Sequence, residues 1–186
     1  MAAVNRILTA SDIERILMRM ACEIVEKHKA IDNMALVGIH TRGVFLARRI
    51  AAIISKTASS EPLTGTLDIS LYRDDWSRIS TNPVVRSTQL SFDVDDREII
   101  LMDDVLYTGR TVRAAMDAII DFGRPKRIEL AVLIDRGHRE LPIEANFSGK
   151  YVKTSESQAI NVLMAECDGE DGVEIMETVV NGGTNG

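Results

Sequence analysis

Cysteine is scarce in this chain of 186 residues, present only as Cys22 and Cys167. Two thiols so far apart in sequence supply neither a disulfide scaffold nor a four-ligand zinc site. Positive charge is in deficit: 22 Lys and Arg face 28 Asp and Glu, a formal net charge of −6. A surface coated for nucleic acid is thereby excluded, although a local basic patch is not. No apolar run reaches the roughly 18 residues of a membrane span, and the opening Met1–Thr9 lacks the apolar stretch of a signal peptide. Internal repeats are absent. What is present is an ordinary apolar fraction of 45%, which argues against global disorder. A chain of this length suits one domain that buries roughly 70% of its unfolded surface. The sequence reads as a soluble cytosolic domain over residues 1–180, with a frayed tail at 181–186.

Residues 11–29 read as an amphipathic helix. Ser11 and Glu14 have capping-box spacing, and Ile13, Ile16, Leu17, Met20, Ala21, Ile24 and Val25 form one apolar stripe. Met18 and Cys22 fall on the opposite side beside Arg15 and Arg19, a placement that suits an oligomer contact. A buried-strand pattern follows at 34–39, broken by His40-Thr-Arg-Gly43 before a helical stretch over 44–55. Residues 66–72 alternate as a strand, 73–83 read as a long loop, and 84–94 hold an edge strand. The run Glu98–Met102 has the continuous apolarity of a central parallel strand. A helix is predicted over 111–122, stopped by Gly123-Arg-Pro125, and a further covered strand over 128–134. Strands alternating with helices indicate an α/β fold with a mainly parallel sheet. Its ligand-binding loops, 40–43, 73–83, 103–110 and 135–141, all follow strands and converge on one edge.

The most specific stretch is Ile99–Thr111. An apolar strand delivers Asp103 and Asp104 to the sheet edge, and Thr108, Gly109, Arg110 and Thr111 follow at a helix start. Free backbone N–H groups and the helix dipole make such an end an anion site. Gly109 permits close backbone approach, and the threonine hydroxyls add donors. Carboxylates cannot bind phosphate, so the acid pair faces sugar hydroxyls or a magnesium ion shared with another phosphate. Neither G-x-x-x-x-G-K-[ST] nor a G-x-G-x-x-G after a strand occurs, leaving no apparatus for cleaving a nucleotide β–γ bond.

Residues 99–111 resemble the signature of the type I phosphoribosyltransferases, which bind 5-phosphoribosyl 1-diphosphate (PRPP). Together with Val37–Gly43, Leu67–Asp75, Asp103–Asp117 and Asp135–Pro142, they resemble the PyrR family of pyrimidine-operon regulators with uracil phosphoribosyltransferase activity. The resemblance implies a type I phosphoribosyltransferase fold, with helices on both faces of the sheet and a flexible loop and hood. It implies a magnesium-dependent conversion of uracil and PRPP to UMP and diphosphate. Asp103 and Asp104 would hold the ribose hydroxyls, directly or through Mg²⁺, and act in catalysis. The segment Val105, Leu106, Tyr107, Thr108, Gly109, Arg110 and Thr111 would follow the donor, its last five residues holding the 5-phosphate. Thr41, Arg42 and Arg86 would meet the diphosphate, the guanidiniums offering paired donors. Arg73, Asp74 and Asp75 would open the flexible loop. Arg136 and the backbone around it would read the uracil carbonyls, with Ile160 as an apolar lid. His138 suits loop orientation better than proton transfer. Asp135 and Arg139 would pair with each other or with Glu140.

The same likeness implies a homodimer or higher homo-oligomer, no membrane association, and a messenger-RNA leader stem-loop as a second partner. RNA-binding members carry Thr-Arg-x-x-His on the first helix and an arginine in the Leu-Pro-Ile-Arg block; here Met18, Cys22 and Glu144 replace those polar or cationic residues. Lost phosphate contacts weaken RNA binding and flatten its salt dependence. Arg19, Lys27, Lys29, Arg48, Arg49, Lys150 and Lys153 remain to form such a patch in a dimer, with Arg19, Lys27 and Lys150 the first candidates. Two rivals share the phosphate segment: an RNA-binding attenuator with little catalysis, and a phosphoribosyltransferase for another base.

Overall fold

The computed structural model describes residues 4–58, 60–73 and 87–177. A six-stranded sheet has the order β4-β3-β2-β5-β6-β7, built from β2 (Met34–Ile39), β3 (Leu63–Leu67), β4 (Gln89–Leu90), β5 (Glu98–Leu106), β6 (Arg127–Asp135) and β7 (Phe147–Tyr151). All pairings are parallel except β3 with β4. Three helices cover it: α1 (Ala10–Lys27), α2 (Arg42–Ala58) and α3 (Arg110–Ile120). The central strands are buried on both faces, so they read as continuous apolar runs. One core combines Leu36, Ile100, Met102 and Leu133 with α1 and α2; a second combines Val37, Leu101 and Val132 with α3. Helices thus lie on both faces, as expected of this α/β class.

A separate antiparallel sheet, β1-β9-β8, forms a hood from β1 (Val4–Leu8), β8 (Gln158–Leu163) and β9 (Gly172–Glu177), with a short helix α4 (Ala165–Asp168) between the last two. Val4 pairs with Met176 and Gln158 with Glu177, so the two ends of the described chain meet in one element. The hood packs through Leu8, Val162, Met164 and Val173 against the α1–α2 core.

Three local predictions are corrected. The first helix is capped two residues earlier than Ser11: the Thr9 N–H donates to Asp12 at 2.9 Å and the Asp12 N–H to the Thr9 hydroxyl at 3.3 Å. That choice puts buried Leu8 and Ile13 at the two staple positions around the cap, where apolar residues fix the entry of the chain. The strand predicted over 66–72 ends at Leu67, because Asp68 accepts the Ser70 N–H at 2.9 Å and turns the chain into a 3-10 segment at Ser70–Tyr72. In the predicted edge strand at 84–94, only Gln89–Leu90 pairs among the described residues.

Candidate functional site

Two glycines bring the first loop onto the central strand. A Cβ on Gly38 would overlap the backbone of Val44, and one on Gly43 the carbonyl oxygen of Met102, with the Asp103 Cα 3.3 Å away. Only hydrogen at these positions lets the start of α2 sit directly against the acid pair. The His40–Thr41 peptide is cis, and the His40 N–H donates to the Leu67 carbonyl at 3.0 Å. Arg42, the first residue of α2, donates from Nε and Nη2 to the Asp168 carboxylate at 3.2 and 3.0 Å. It also feels the charge of Asp104.

β5 continues past the predicted Met102 and carries both acids within the strand. Asp103 is 7% exposed, and burial, then the neighbouring Asp104, raises its carboxyl well above the usual range; the Asp104 N–H and the charge of Arg73 oppose this. Asp103 accepts the Asp104 N–H at 2.9 Å, and Asp104, half-buried, accepts the Val105 N–H at 3.0 Å. Each carboxylate keeps further lone pairs beyond its one backbone donor.

Beyond Leu106 the chain bends through Tyr107 and Thr108 to Gly109, whose φ of 92° caps α3 in the left-handed region. Glycine is needed for that φ rather than for crowding, since a Cβ there would meet Leu141 and Ile143 only at 3.4 Å. Residues 105–112 and Arg73 enclose a cavity of about 250 Å³. The Arg73 guanidinium reaches the Thr111 hydroxyl at 3.3 Å. The Arg110 side chain points outward to Glu140 at 2.6 Å, so it is the backbone of Arg110 that faces the bend.

The loop after β6 is braced against this bend. The Arg136 and Glu140 N–H groups donate to the carbonyls of Leu106 and Thr108 at 3.1 and 3.0 Å. Arg139 bridges Asp135 at 2.6 Å and the Tyr107 carbonyl at 3.1 Å. The expected Asp135–Arg139 pair therefore forms, while Glu140 serves Arg110. Arg136 is buried, its guanidinium 3.9 Å from the Tyr107 ring centroid and donating to the Gln158 carbonyl at 2.8 Å. That bond ties the loop to β8, which carries half-buried Ile160. His138, at φ 57°, has Nε2 2.7 Å from the Thr154 carbonyl, a tether consistent with orienting its loop.

Thr41, Arg42, Arg73, Asp103, Asp104, residues 105–111, Arg136 and Ile160 are thus distributed over the sheet edge and the hood above it. Asp74, Asp75 and Arg86, with Trp76, lie outside the described residues. Arg15, Arg19 and Lys150 line a shallow depression of about 420 Å³ between α1 and β7. Lys27 does not line it: its ammonium is 2.6 Å from Glu129 and 5.0 Å from the Phe147 ring centroid. Met18, Cys22 and Glu144 are exposed. Sequence reasoning missed the Arg42–Asp168 contact and the Tyr107–Arg136 stack, because their partners come from separate segments.

No cluster of three His, Cys, Asp or Glu capable of enclosing a metal occurs among the described residues. The adjacent oxygen donors of Asp103 and Asp104 nonetheless fit Mg²⁺, which takes one or two carboxylates and completes its shell with water and substrate phosphate. No described helix is long and apolar enough to cross a membrane.

The phosphoribosyl transferase domain family matches residues 3–164. The chain is 56% identical over 169 residues to the bifunctional protein PyrR of Syntrophobacter fumaroxidans, covering 91% of each chain. It is also 56% identical over 171 residues to that of Thermus thermophilus, covering 92% of this chain and 94% of the relative. Among solved structures, a hypoxanthine phosphoribosyltransferase from Staphylococcus aureus superposes with a TM-score of 0.69 at 18% identity, covering 93% of this chain and 92% of that one. The Trypanosoma cruzi hypoxanthine phosphoribosyltransferase gives 0.70 at 12% identity, covering 94% and 97%. Those two structures share the fold.

Proposed function

This chain belongs to the phosphoribosyl transferase domain family and, within it, to the PyrR proteins, and from that membership we propose that it transfers the phosphoribosyl group of PRPP to N1 of uracil, releasing diphosphate and forming UMP. One juxtaposition carries the reading: an acid pair on β5, Asp103 buried and Asp104 half-buried, stands between the start of α2 and the glycine-capped start of α3. The two flanks offer backbone donors suited to phosphate, and the pair between them suits the hydroxyls of one ribose.

In this arrangement the backbone of residues 107–111 holds the 5-phosphate, with the Thr108 and Thr111 hydroxyls alongside. Asp103 and Asp104 take the ribose hydroxyls, and Thr41 and Arg42 take the diphosphate. When bound, Mg²⁺ supplies positive charge to the diphosphate, and Asp103 and Asp104 are the residues that would hold it with the substrate. Positive charge develops on the sugar as its C1–O bond to diphosphate lengthens and C1 bonds to N1 of uracil, whose proton leaves to diphosphate or water, and no covalent nucleophile is required. The half-exposed Asp104 carboxylate faces that charge and stabilises it electrostatically. The backbone around Arg136 meets the base carbonyls, and Ile160 excludes water from the base. Arg73, tied to Thr111, adds charge on the donor's side. Incubation with PRPP, Mg²⁺ and a panel of uracil, hypoxanthine and guanine tests the assignment. UMP should be the dominant product; purine nucleotides alone would overturn the base assignment.

Regulation of pyrimidine genes through a leader RNA is the second activity of this family. The depression lined by Arg15, Arg19 and Lys150, with Asp12 paired to Arg15 and Glu23 to Arg19, is the local surface that such a contact would use. Filter binding of the leader RNA at two salt concentrations tests it. Salt-steep binding enhanced by UMP is expected of a regulator, and weak, salt-flat binding leaves catalysis as the sole activity.

A further inference from the structure

Asp168, in the short helix of the hood, is well outside the acid pair and the phosphate bend. Its carboxylate nevertheless grips the arginine at the start of α2 side-on: Oδ1 accepts from Nη2 at 3.0 Å and Oδ2 from Nε at 3.2 Å. We propose that Asp168 is a positioning residue for the diphosphate end of the reaction, holding one edge of the Arg42 guanidinium so that the opposite edge faces the donor. The inference rests on the reading of Arg42 as a diphosphate contact.

A guanidinium has five N–H donors in a fixed fork. The side-on pair engages Nε and one N–H of Nη2, leaving Nη1 and the other Nη2 hydrogen for phosphate oxygens. Asp168 is itself fixed before it acts. Its Oδ2 also accepts the N–H of fully buried Met164 at 2.8 Å and the Cys167 thiol at 3.2 Å, while the Asp168 N–H returns to the Met164 carbonyl at 2.7 Å. The Met164 N–H, then Arg42, hold the carboxyl below its ordinary range, so it is ionised at neutral pH.

An acid resting on an arginine that must bind an anion reduces that arginine's net charge, so the contact has to contribute something else. Direction is what it contributes. A free arginine samples many rotamers, and fixing it beforehand removes that ordering from the binding step. The contact is also not required to attach the hood. Two turns further along α2, Arg49 binds Glu166 at 2.7 Å and Asp171 at 2.7 Å, and Arg6 on β1 binds Glu170 and Glu174.

Steady-state kinetics with PRPP and uracil varied separately test the assignment. Asp168→Asn should raise the KM for PRPP about tenfold, with kcat within about threefold and the KM for uracil native, the pattern of lost ground-state orientation. Asp171→Asn, which weakens the neighbouring Arg49 contact, should leave the KM for PRPP native. Arg42→Ala should raise it at least as far as Asp168→Asn does, and the double variant should be no worse than Arg42→Ala alone, because the acid acts through the arginine. A native KM for PRPP in Asp168→Asn overturns the proposal, as does a penalty that persists in full on the Arg42→Ala background. A native KM in Arg42→Ala instead overturns the diphosphate reading of Arg42. If Asp168→Asn does not fold, Asp168→Glu carries the same test: its displaced carboxylate must raise the KM for PRPP alone, and a native value again overturns the proposal.

Discussion

The two ends of β5 carry carboxylates in opposite circumstances. At its start, Glu98 accepts from Lys126 and Arg127 at 3.0 Å each and lies 2.7 Å from Nδ1 of buried His28. Those hydrogen bonds, His28 first and Lys126 second, lower its carboxyl to about 2. The other ring nitrogen of His28 is 2.7 Å from Glu129, outside hydrogen-bond alignment. At the far end, Asp103 is buried beside another acid, and its carboxyl is raised. One pole of the sheet matches charge with charge and gains stability. The other sets acid beside acid, the arrangement that the proposed reading assigns to a polyhydroxylated, cation-associated ligand. Binding sites draw on stability that the rest of the fold supplies.

The most severe way to break this contrast is Asp104→Asn, which should lower kcat by about 10²–10³ with little change in thermal midpoint; native turnover removes the electrostatic role. Next is Gly43→Ala, whose methyl would strike the Met102 carbonyl. It should cost about 1–3 kcal/mol in urea unfolding and raise the KM for PRPP, and a native-like protein would show that α2 does not sit as described. At the other pole, Glu98→Gln should cost about 1–3 kcal/mol at neutral pH with kcat unchanged. Glu98 titrates lower in the folded chain than its ordinary 4.5, so its contribution is complete above the unfolded value and lost as pH falls toward about 2. Urea titrations across that window should show a shallower pH slope for the variant than for the parent. The smallest effect, opposite in sign, belongs to Asp103→Asn. A raised folded-state carboxyl favours the fold at low pH and loses that advantage as pH rises above the unfolded value. The amide should therefore raise the thermal midpoint at neutral pH while weakening PRPP binding; a lower midpoint would show that Asp103 is compensated after all.

Legibility in the sequence follows the same division between local and distant contacts. Glu98–Met102 and Thr108–Thr111 announce themselves because a strand covered on both faces is apolar throughout and a helix start has its own residue chemistry. β1 does not, since only Leu8 of its five residues is buried and its partner β9 lies at the other end of the chain. β7 and β8 are mostly half-exposed and short, so neither shows a clean alternation. The capping box predicted at Ser11 forms at Thr9 instead, where buried Leu8 and Ile13 flank the cap. Arg42 and Asp168 are 126 positions apart, and no spacing rule connects residues across that distance. The acids of the site were readable, whereas the groups that aim and brace them were not.

The interleaving of β1 with β9 and β8 also imposes a timetable on synthesis. Residues 4–8 leave the ribosome well before 172–177, the segment with which they pair. The parallel sheet, whose strands all lie between 34 and 151, has every one of its own segments available earlier. The six-stranded sheet can therefore assemble during translation, and the three-stranded hood is completed only once β9 has emerged.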